Sequence, residues 1–251
     1  MRMNIGIIIQ ARLGSTRLPG KILLPFYGSQ TIIDILMDKL HQATTSKVVV
    51  ATTTDPGNDL LVEHLQDKDE LVFRGSENDV LDRFIQAAEE FQLDGIIRIC
   101  SDNPFIDPDG IKALIDKAQD SEADYIGFRI NGLPSIKTHF GFWGEFVTLE
   151  ALKKVDATTD DCQANEHVTI HIYTHPEDYR CEWIDCPDFI QGRDDIRLTV
   201  DTHEDFDNAQ QVYADLMKTH PNFRLEDIVS YLDEHEALKT SMKRIITQNT
   251  K

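Results

Sequence analysis

Three cations punctuate one short loop near the amino terminus. Arg12, Arg17 and Lys21 lie in IIIQARLGSTRLPGKIL, with Gly14, Ser15, Pro19 and Gly20 among them. A glycine-bearing backbone beside cations is chemistry for gripping phosphate: amides supply directed donors, and Lys21 supplies a mobile point charge. Two distant carboxylates complement the loop. Asp102 follows the apolar run GIIRICS, and Asp201 ends IRLTV. Carboxylates facing phosphates repel them unless a hard divalent cation sits between, and Mg2+ suits two carboxylates plus phosphate oxygens. Such a set stabilises charge developing at a phosphorus under attack.

The loop is not a common phosphate grip. A P-loop has four residues between its first glycine and the Gly-Lys pair, then Ser or Thr. Here Gly14 and Gly20 enclose five residues, and Ile22 follows Lys21. No G-x-G-x-x-G opens a helix, so a dinucleotide fingerprint is absent too.

Positioning these residues is the work of alternating elements. NIGIIIQ, KVVVATT, ELVFRG, DGIIRICS, DYIGFRI, YRCEWID and IRLTVD have the β-branched content of strands. TIIDILMDKLHQA, NDLLVEHLQDK, NDVLDRFIQAAEEF, PDGIKALIDKAQ, HEDFDNAQQVYADLMKT and LEDIVSYLDEHEAL carry apolar residues at helical spacing. Asp107-Pro108-Asp109 and the acidic capping box at Thr202 mark helix starts. The alternation predicts an α/β fold, a mostly parallel mixed sheet with helices on both faces. Ligands bind such sheets outside the carboxyl ends of the strands. The cationic loop, Ser101-Asp102 and Asp201 are therefore expected to face one crevice. With no internal repeat or polar linker, residues 1–251 are expected to form a single domain. An irregular excursion at 131–145 is expected as a substrate wall or dimer contact, and 237–251 as a C-terminal tail, a surface helix or frayed end.

Composition narrows the partners. The 251-residue chain has 44 acidic against 25 basic side chains, a formal net charge of −19, which argues against a phosphate-backbone footprint and hence against nucleic acid. Cys100, Cys162, Cys181 and Cys186 form no Cys-x-x-Cys pair, so a reducing compartment is the plain reading. No secretory pattern opens the chain and no apolar stretch approaches the ~18 residues of a spanning helix. A cytoplasmic protein with no membrane partner is expected. His167, His171 and His175 have i, i+4, i+8 spacing, but the residues between them are poor helix formers and a zinc site is not expected.

The segments IIIQARLGSTRLPGKIL, RGSENDVLDRF, IRICSDNPFIDPDGI, NEHVT and RLTVDTHEDF resemble, in this order, the cytidylyltransferase family. The branch of spore coat polysaccharide biosynthesis proteins is most similar, and it resembles in turn the CMP-sialic acid and CMP-Kdo synthetases. The resemblance implies a Rossmann-like nucleotide-diphospho-sugar transferase (GT-A type) fold and Mg2+-dependent transfer of CMP from CTP to a sugar-type acceptor, with pyrophosphate released. It further implies that Ala11, Arg12, Gly14, Ser15 and Lys21 hold CTP, Arg12 and Lys21 acting on its phosphates as the catalytic cations. Arg74, Ser76 and Asp79 are implied near the base and ribose, and Ser101 beside the nucleotide. Asp102 and Asp201 are implied as metal ligands, and Glu145, Glu166 and His167 near the acceptor. A homodimer is implied as well. The chain departs from the family pattern at Cys100-Ser101 and in THFGFWGEF, which keeps only Gly141 and Glu145 in register. The second departure bears on the acceptor.

Plainer readings stand beside these. Arg17 can brace the loop, Arg74 can pair with Asp79 or Asp82, and Asp102 and Asp201 can cap turns. Phe140, Phe142 and Trp143 read as packing or a dimer surface, and Cys100 as a small core residue. Two rival functions remain: a glycosyltransferase of the same fold using a nucleotide-sugar donor, and a non-catalytic nucleotide-binding module. The first requires an Asp-x-Asp pair at a strand end. Asp67/Asp69, Asp107/Asp109 and Asp205/Asp207 all fall in helical or capping contexts.

Overall fold

The first apolar run becomes a strand, β1 (Ile5–Gln10), whose side chains are buried on both faces. Ile5, Ile7 and Ile9 enter one hydrophobic cluster and Ile8 the other, as the period of two requires. The computed structural model describes residues 2–159 and 166–248. After β1 the strands are β2 (Pro25–Tyr27), β3 (Gln30–Thr31), β4 (Val48–Thr53), β5 (Leu71–Gly75) and β6 (Gly95–Cys100). Then come β7 (Tyr125–Ile130), β8 (Leu133–Pro134), β9 (Glu145–Thr148) and β10 (Cys181–Asp185). The helices are α1 (Ile32–Ala43), α2 (Asp59–Gln66), α3 (Val80–Glu90), α4 (Pro108–Gln119) and α5 (Leu149–Thr158). They are followed by α6 (Ile170–Thr174), α7 (His203–Thr219), α8 (Leu225–Glu234) and α9 (Glu236–Gln248).

Among the described residues an eight-stranded sheet runs in the order β10-β7-β9-β6-β1-β4-β5, with β8 added on β7. β1 pairs parallel with β4 and β6, β4 with β5, and β7 with β10. β9 lies antiparallel between β6 and β7. The sheet is thus mixed and mostly parallel, as expected. The helices α1, α4, α7, α8 and α9 cover one face, while α3, α5 and α6 cover the other. β2 and β3 form a separate small ribbon.

The structure corrects several expectations. IRLTVD is not a strand. Its backbone bonds reach loops instead: Leu198 N donates to His139 O at 3.0 Å, and Val200 N donates to Asp102 O at 2.9 Å. The run is buried and extended because it is sandwiched between those loops, which gives a β-like composition without a sheet partner. β9, α5 and α6 were not anticipated, and α6 contradicts the expectation that 168–173 avoids helix. LEDIVSYLDEHEAL breaks at His235, and α9 continues to Gln248 with Leu238, Met242 and Ile245 buried, so most of the expected tail is a packed helix. Phe140, Phe142 and Trp143 are core residues, Trp143 stacking on Phe128 at 4.9 Å, so their rings are not a dimer surface. Cys181 and Cys186 are free thiols; Cys162, Asn165 of the NEHVT motif and residues 249–251 lie outside the described residues. Among the described residues no helix is long and apolar enough to cross a membrane.

Candidate active site

The cationic loop leaves the carboxyl end of β1 and is pinned at several points. Ala11 N donates to Ala51 O on β4, Leu13 N to Asn58 Oδ1 at 2.8 Å, and Gly20 N to Leu13 O at 3.0 Å. Gly20 adopts φ 66°, a left-handed turn that glycine enters without penalty, and a single 3-10 turn at Lys21–Leu23 follows. This turn sends the Lys21 side chain inward while Arg12, Gly14 and Arg17 stay exposed.

Lys21 Nζ lies 3.1 Å from Asp102 Oδ2 and 3.6 Å from Asp201 Oδ1. Arg17 reaches the same Asp201 oxygen at 2.9 Å. The three segments expected to share a crevice do meet there. Asp102 arrives through the turn after β6, and Asp201 through the buried run before α7. The position of Asp201 is set by a fully buried Arg197, which binds Asp201 Oδ2 at 2.9 Å, both oxygens of Asp205, and His139 Nδ1 at 2.6 Å. Asp205 in turn accepts from the Asp201 and Thr202 amides at 3.1 and 2.9 Å. Two carboxylates converging on one cation are a suitable donor set for a hard divalent ion. Among the described residues no cluster of three or more acidic, His or Cys side chains converges as a metal site, so a metal held by these two carboxylates would need further ligands.

Beside this point are two further cavities. One of about 290 Å3 is lined by Gln10, Arg12, Glu77, Asn78, Arg83 and Glu166. Arg83 is 1% exposed; burial first and then neighbouring Arg12 push its pKa down to about 10. Its Nη1 donates to Ser76 O at 2.8 Å, while Nε has no partner among the described residues. The other cavity, about 540 Å3, is bordered by Arg98, Lys137, His167, Thr169 and Tyr173. Behind it Glu145, 1% exposed, accepts from Arg98 at 2.8 Å, Tyr125 at 2.6 Å and Thr169 at 3.0 Å. Burial and the Glu145 carboxylate both oppose a phenolate at Tyr125, whose pKa stands well above the ordinary range.

Several expected site residues occupy other positions. Glu145 does not line the larger cavity; its oxygens are spent on Arg98, Tyr125 and Thr169. Glu166 borders the Arg12–Arg83 cavity, apart from the pocket that His167 enters. Arg74 is held by Thr53 O, Asp55 O and Asp59 at 2.7 Å, so its partner is Asp59 and neither Asp79 nor Asp82. Ser76 and Asp79 build the start of α3: Ser76 Oγ accepts from Asp79 N, and the Asp79 carboxylate accepts from Asp82 N. The amides of Ala11, Ser15 and Ser101 are spent on Ala51 O, Leu13 O and Gln10 O. Any contact those three make with a ligand must come from other atoms. Arg12 and Gly14 remain exposed on the loop.

Arg83, Arg98 and Arg197 escaped the sequence reading. Each sits where the pattern demands an apolar residue: Arg83 on the buried face of α3, Arg98 within GIIRIC, and Arg197 within IRLTV. An arginine on a buried face is costly unless paired, and that conflict was the available signal. The Asp-x-Asp pairs stay in turns and helices; Asp107 caps α4, and Asp205 lies in the first turn of α7.

Residues 6–249 match the family model described as cytidylyltransferase. The chain is 36% identical to the spore coat polysaccharide biosynthesis protein SpsF of Bacillus subtilis, over 84% of this chain and 86% of that one. It is 30% identical to the 3-deoxy-manno-octulosonate cytidylyltransferase of Brucella suis over 47% of each chain. Among solved structures, a cytidylyltransferase from Leptospira borgpetersenii superposes with a TM-score of 0.82 at 29% identity, covering 94% of this chain and 96% of that one. The fold also recurs in a CMP:2-keto-3-deoxy-manno-octonic acid synthetase solved with CTP, at TM-score 0.62 and 16% identity, covering 84% of this chain and 99% of that one. With the match spanning nearly the whole sequence, cationic loop and paired carboxylates included, this chain belongs to the cytidylyltransferase family, an enzyme that uses CTP as its nucleotide donor.

Proposed function

We propose that the enzyme transfers CMP from CTP to an oxygen of a sugar or sugar-acid acceptor, with Mg2+ as cofactor and pyrophosphate as leaving group, in the making of a surface polysaccharide. The observation that carries the reading is the Lys21 ammonium held between Asp102 and Asp201 at the carboxyl end of the sheet. The likeness to SpsF, whose name refers to spore coat polysaccharide, supports the pathway class.

In this mechanism an acceptor oxygen attacks the α-phosphorus of CTP as the bond to the bridging oxygen of pyrophosphate breaks. Arg12 and Lys21, with Arg17 beside them, offset charge on the departing phosphates. The loop carrying Gly14 and Ser15 follows the phosphates, and the Arg12–Arg83 cavity suits ribose and base, near Ser76 and Asp79. Ser101 ties the Asp102 turn to β1. Asp102 and Asp201 would hold Mg2+, which would supply charge neutralisation to the phosphates. The cavity with Arg98, Lys137 and His167 has the cationic border that an acidic acceptor requires, Glu145 orienting Arg98 from behind. A cytoplasmic location, read from the sparse cysteines, and a homodimer, implied by the family resemblance, are part of the proposal; sedimentation equilibrium tests the second. The extent of one domain over 1–251 belongs with them.

The test is protection against thermal unfolding by CTP, ATP, GTP, UTP and dTTP, each with and without Mg2+. A ligand that binds only the native state stabilises it by ~2.7 kcal/mol at a hundredfold excess over its dissociation constant. Selective Mg2+-dependent protection by CTP is the expected result. Equal protection by every nucleotide contradicts the donor assignment. Pyrophosphate release with 3-deoxy-manno-octulosonate and related acids then tests the acceptor class.

A further inference from the structure

A small cavity of about 100 Å3 opens directly beside Asp102, walled by Asn103, Ser135, Thr199, Phe140, Gly141 and Trp143. It shares Cys100 and Ile136 with the larger cationic cavity, so the two are neighbours. Asn103 is 7% exposed, and its Oδ1 has no hydrogen-bond partner among the described residues. A buried amide oxygen left unpaired carries a desolvation cost, so its persistence beside an open space points to a donor brought by a ligand. Gly141 gives a second, independent sign. It holds φ 69°, and a Cβ there would stand 2.8 Å from Asn103 Oδ1 and 3.2 Å from Thr199 N. The absence of a side chain keeps the space in front of that oxygen clear.

We infer that this cavity is an acceptor subsite that takes a short hydroxylated arm, with Asn103 Oδ1 accepting a hydrogen bond from one of its hydroxyls. The walls match such an arm. Asn103, Ser135 and Thr199 carry polar groups, and the rings of Phe140 and Trp143 offer apolar surface to the C–H side of a carbohydrate. At about 100 Å3 against about 540 Å3 for the larger cavity, the small cavity suits the smaller part of an acceptor, a short hydroxylated arm. The ring and its acidic group would occupy the larger cavity, leaving the arm to decide between acceptors of different length. Specificity would then come from THFGFWGEF, the stretch where this chain departs from its relatives.

This inference rests on the sugar-acid reading above, and the experiment separates the two. Pyrophosphate release is measured with CTP, Mg2+ and either 3-deoxy-manno-octulosonate or a six-carbon 3-deoxy-2-ulosonate lacking its two terminal hydroxylated carbons. Wild type, Asn103→Leu and Gly141→Ala are compared, with CTP protection against unfolding as the control. Both variants should lose roughly ten- to a hundredfold in kcat/KM on the eight-carbon acid. They should stay within about threefold of wild type on the six-carbon acid, with CTP protection unchanged. Equal losses on both acids, or none on either, overturn the subsite while leaving the cytidylyl reading intact. Intact CTP protection without turnover of either acid overturns the acceptor class, and this subsite with it.

Discussion

Lys21 and Asp102 stand 81 positions apart in the chain, and their side chains form an ion pair of 3.1 Å. Asp201 approaches the same ammonium at 3.6 Å, so one lysine offsets the mutual repulsion of two carboxylates. The contact links the phosphate loop to both expected metal ligands.

Replacing that lysine should separate chemistry from stability. Lys21→Met is expected to lower kcat for pyrophosphate release by about 100- to 1000-fold, the range seen when one electrostatic contact to a transition state is removed. The folded chain should survive, because the site is polar and reaches solvent. Turnover by Lys21→Met at the wild-type rate rejects the assigned role.

Divalent ions should become harder to recruit when a carboxylate is lost. Asp102→Asn is expected to raise the Mg2+ concentration for half-maximal turnover by about tenfold or more. Chelation by EDTA should abolish turnover in the wild type, and added Mg2+ should restore it. Full activity in EDTA contradicts a metal-assisted reaction.

Asp205 is a structural partner. Its removal strands the charge of the buried Arg197 and frees the Asp201 and Thr202 amides. Asp205→Ala should therefore cost about 3–5 kcal/mol of stability by urea denaturation, the range for breaking a buried pair from one side. A loss within ~0.5 kcal/mol, the range of ordinary surface changes, would show that Arg197 finds another partner.

Glu145 should behave likewise on the other side of the cleft. Glu145→Gln removes the negative charge that balances Arg98 while keeping the volume, so a loss of about 3 kcal/mol is expected. CTP protection should persist, since the network stands behind the acceptor-side cavity. Equal denaturation midpoints for the two proteins would rule out a stabilising ion pair.

Lys39 gives a pH dependence away from the reaction. Its ammonium faces the Ile106 carbonyl and the Phe223 ring, and burial pulls its pKa from the ordinary 10.5 to about 8, with Asp107 opposing the shift. The unfolded chain holds the proton more tightly, so this group makes stability rise with pH between about 8 and 10.5. Lys39→Met should be more stable than wild type at pH 7, by on the order of 2 kcal/mol after allowing for solvent at this half-buried side chain. The advantage should shrink toward pH 10. A gap that is constant with pH would place the effect in packing instead of charge.

Most strands of the sheet, β1 among them, and the lengths of α1, α3, α4 and α7 were legible because local periodicity and capping residues encode them. Thr31 with Asp34 and Thr202 with Asp205 close capping boxes at the starts of α1 and α7. The lysine loop and both aspartates were legible as chemistry, since cations on a glycine loop and carboxylates at ends of apolar runs stand out from the pattern. IRLTVD misled because a buried extended run has the same composition whether its backbone meets a strand or two loops. Arg83, Arg98 and Arg197 were hidden on buried faces, where their partners lie 4 to 88 residues away.

By itself the sequence determined the class of fold, the family and the candidate residues for handling phosphate, because these follow from short-range patterns. Tertiary structure decided which oxygens remain free to act. It committed Glu145 to Arg98, Arg74 to Asp59 and the Ser101 amide to Gln10, while leaving Asn103 Oδ1 without a partner among the described residues. The physical reason is that hydrogen-bond partners are chosen by proximity in the packed state, and proximity across the sheet is not written in any one stretch of chain.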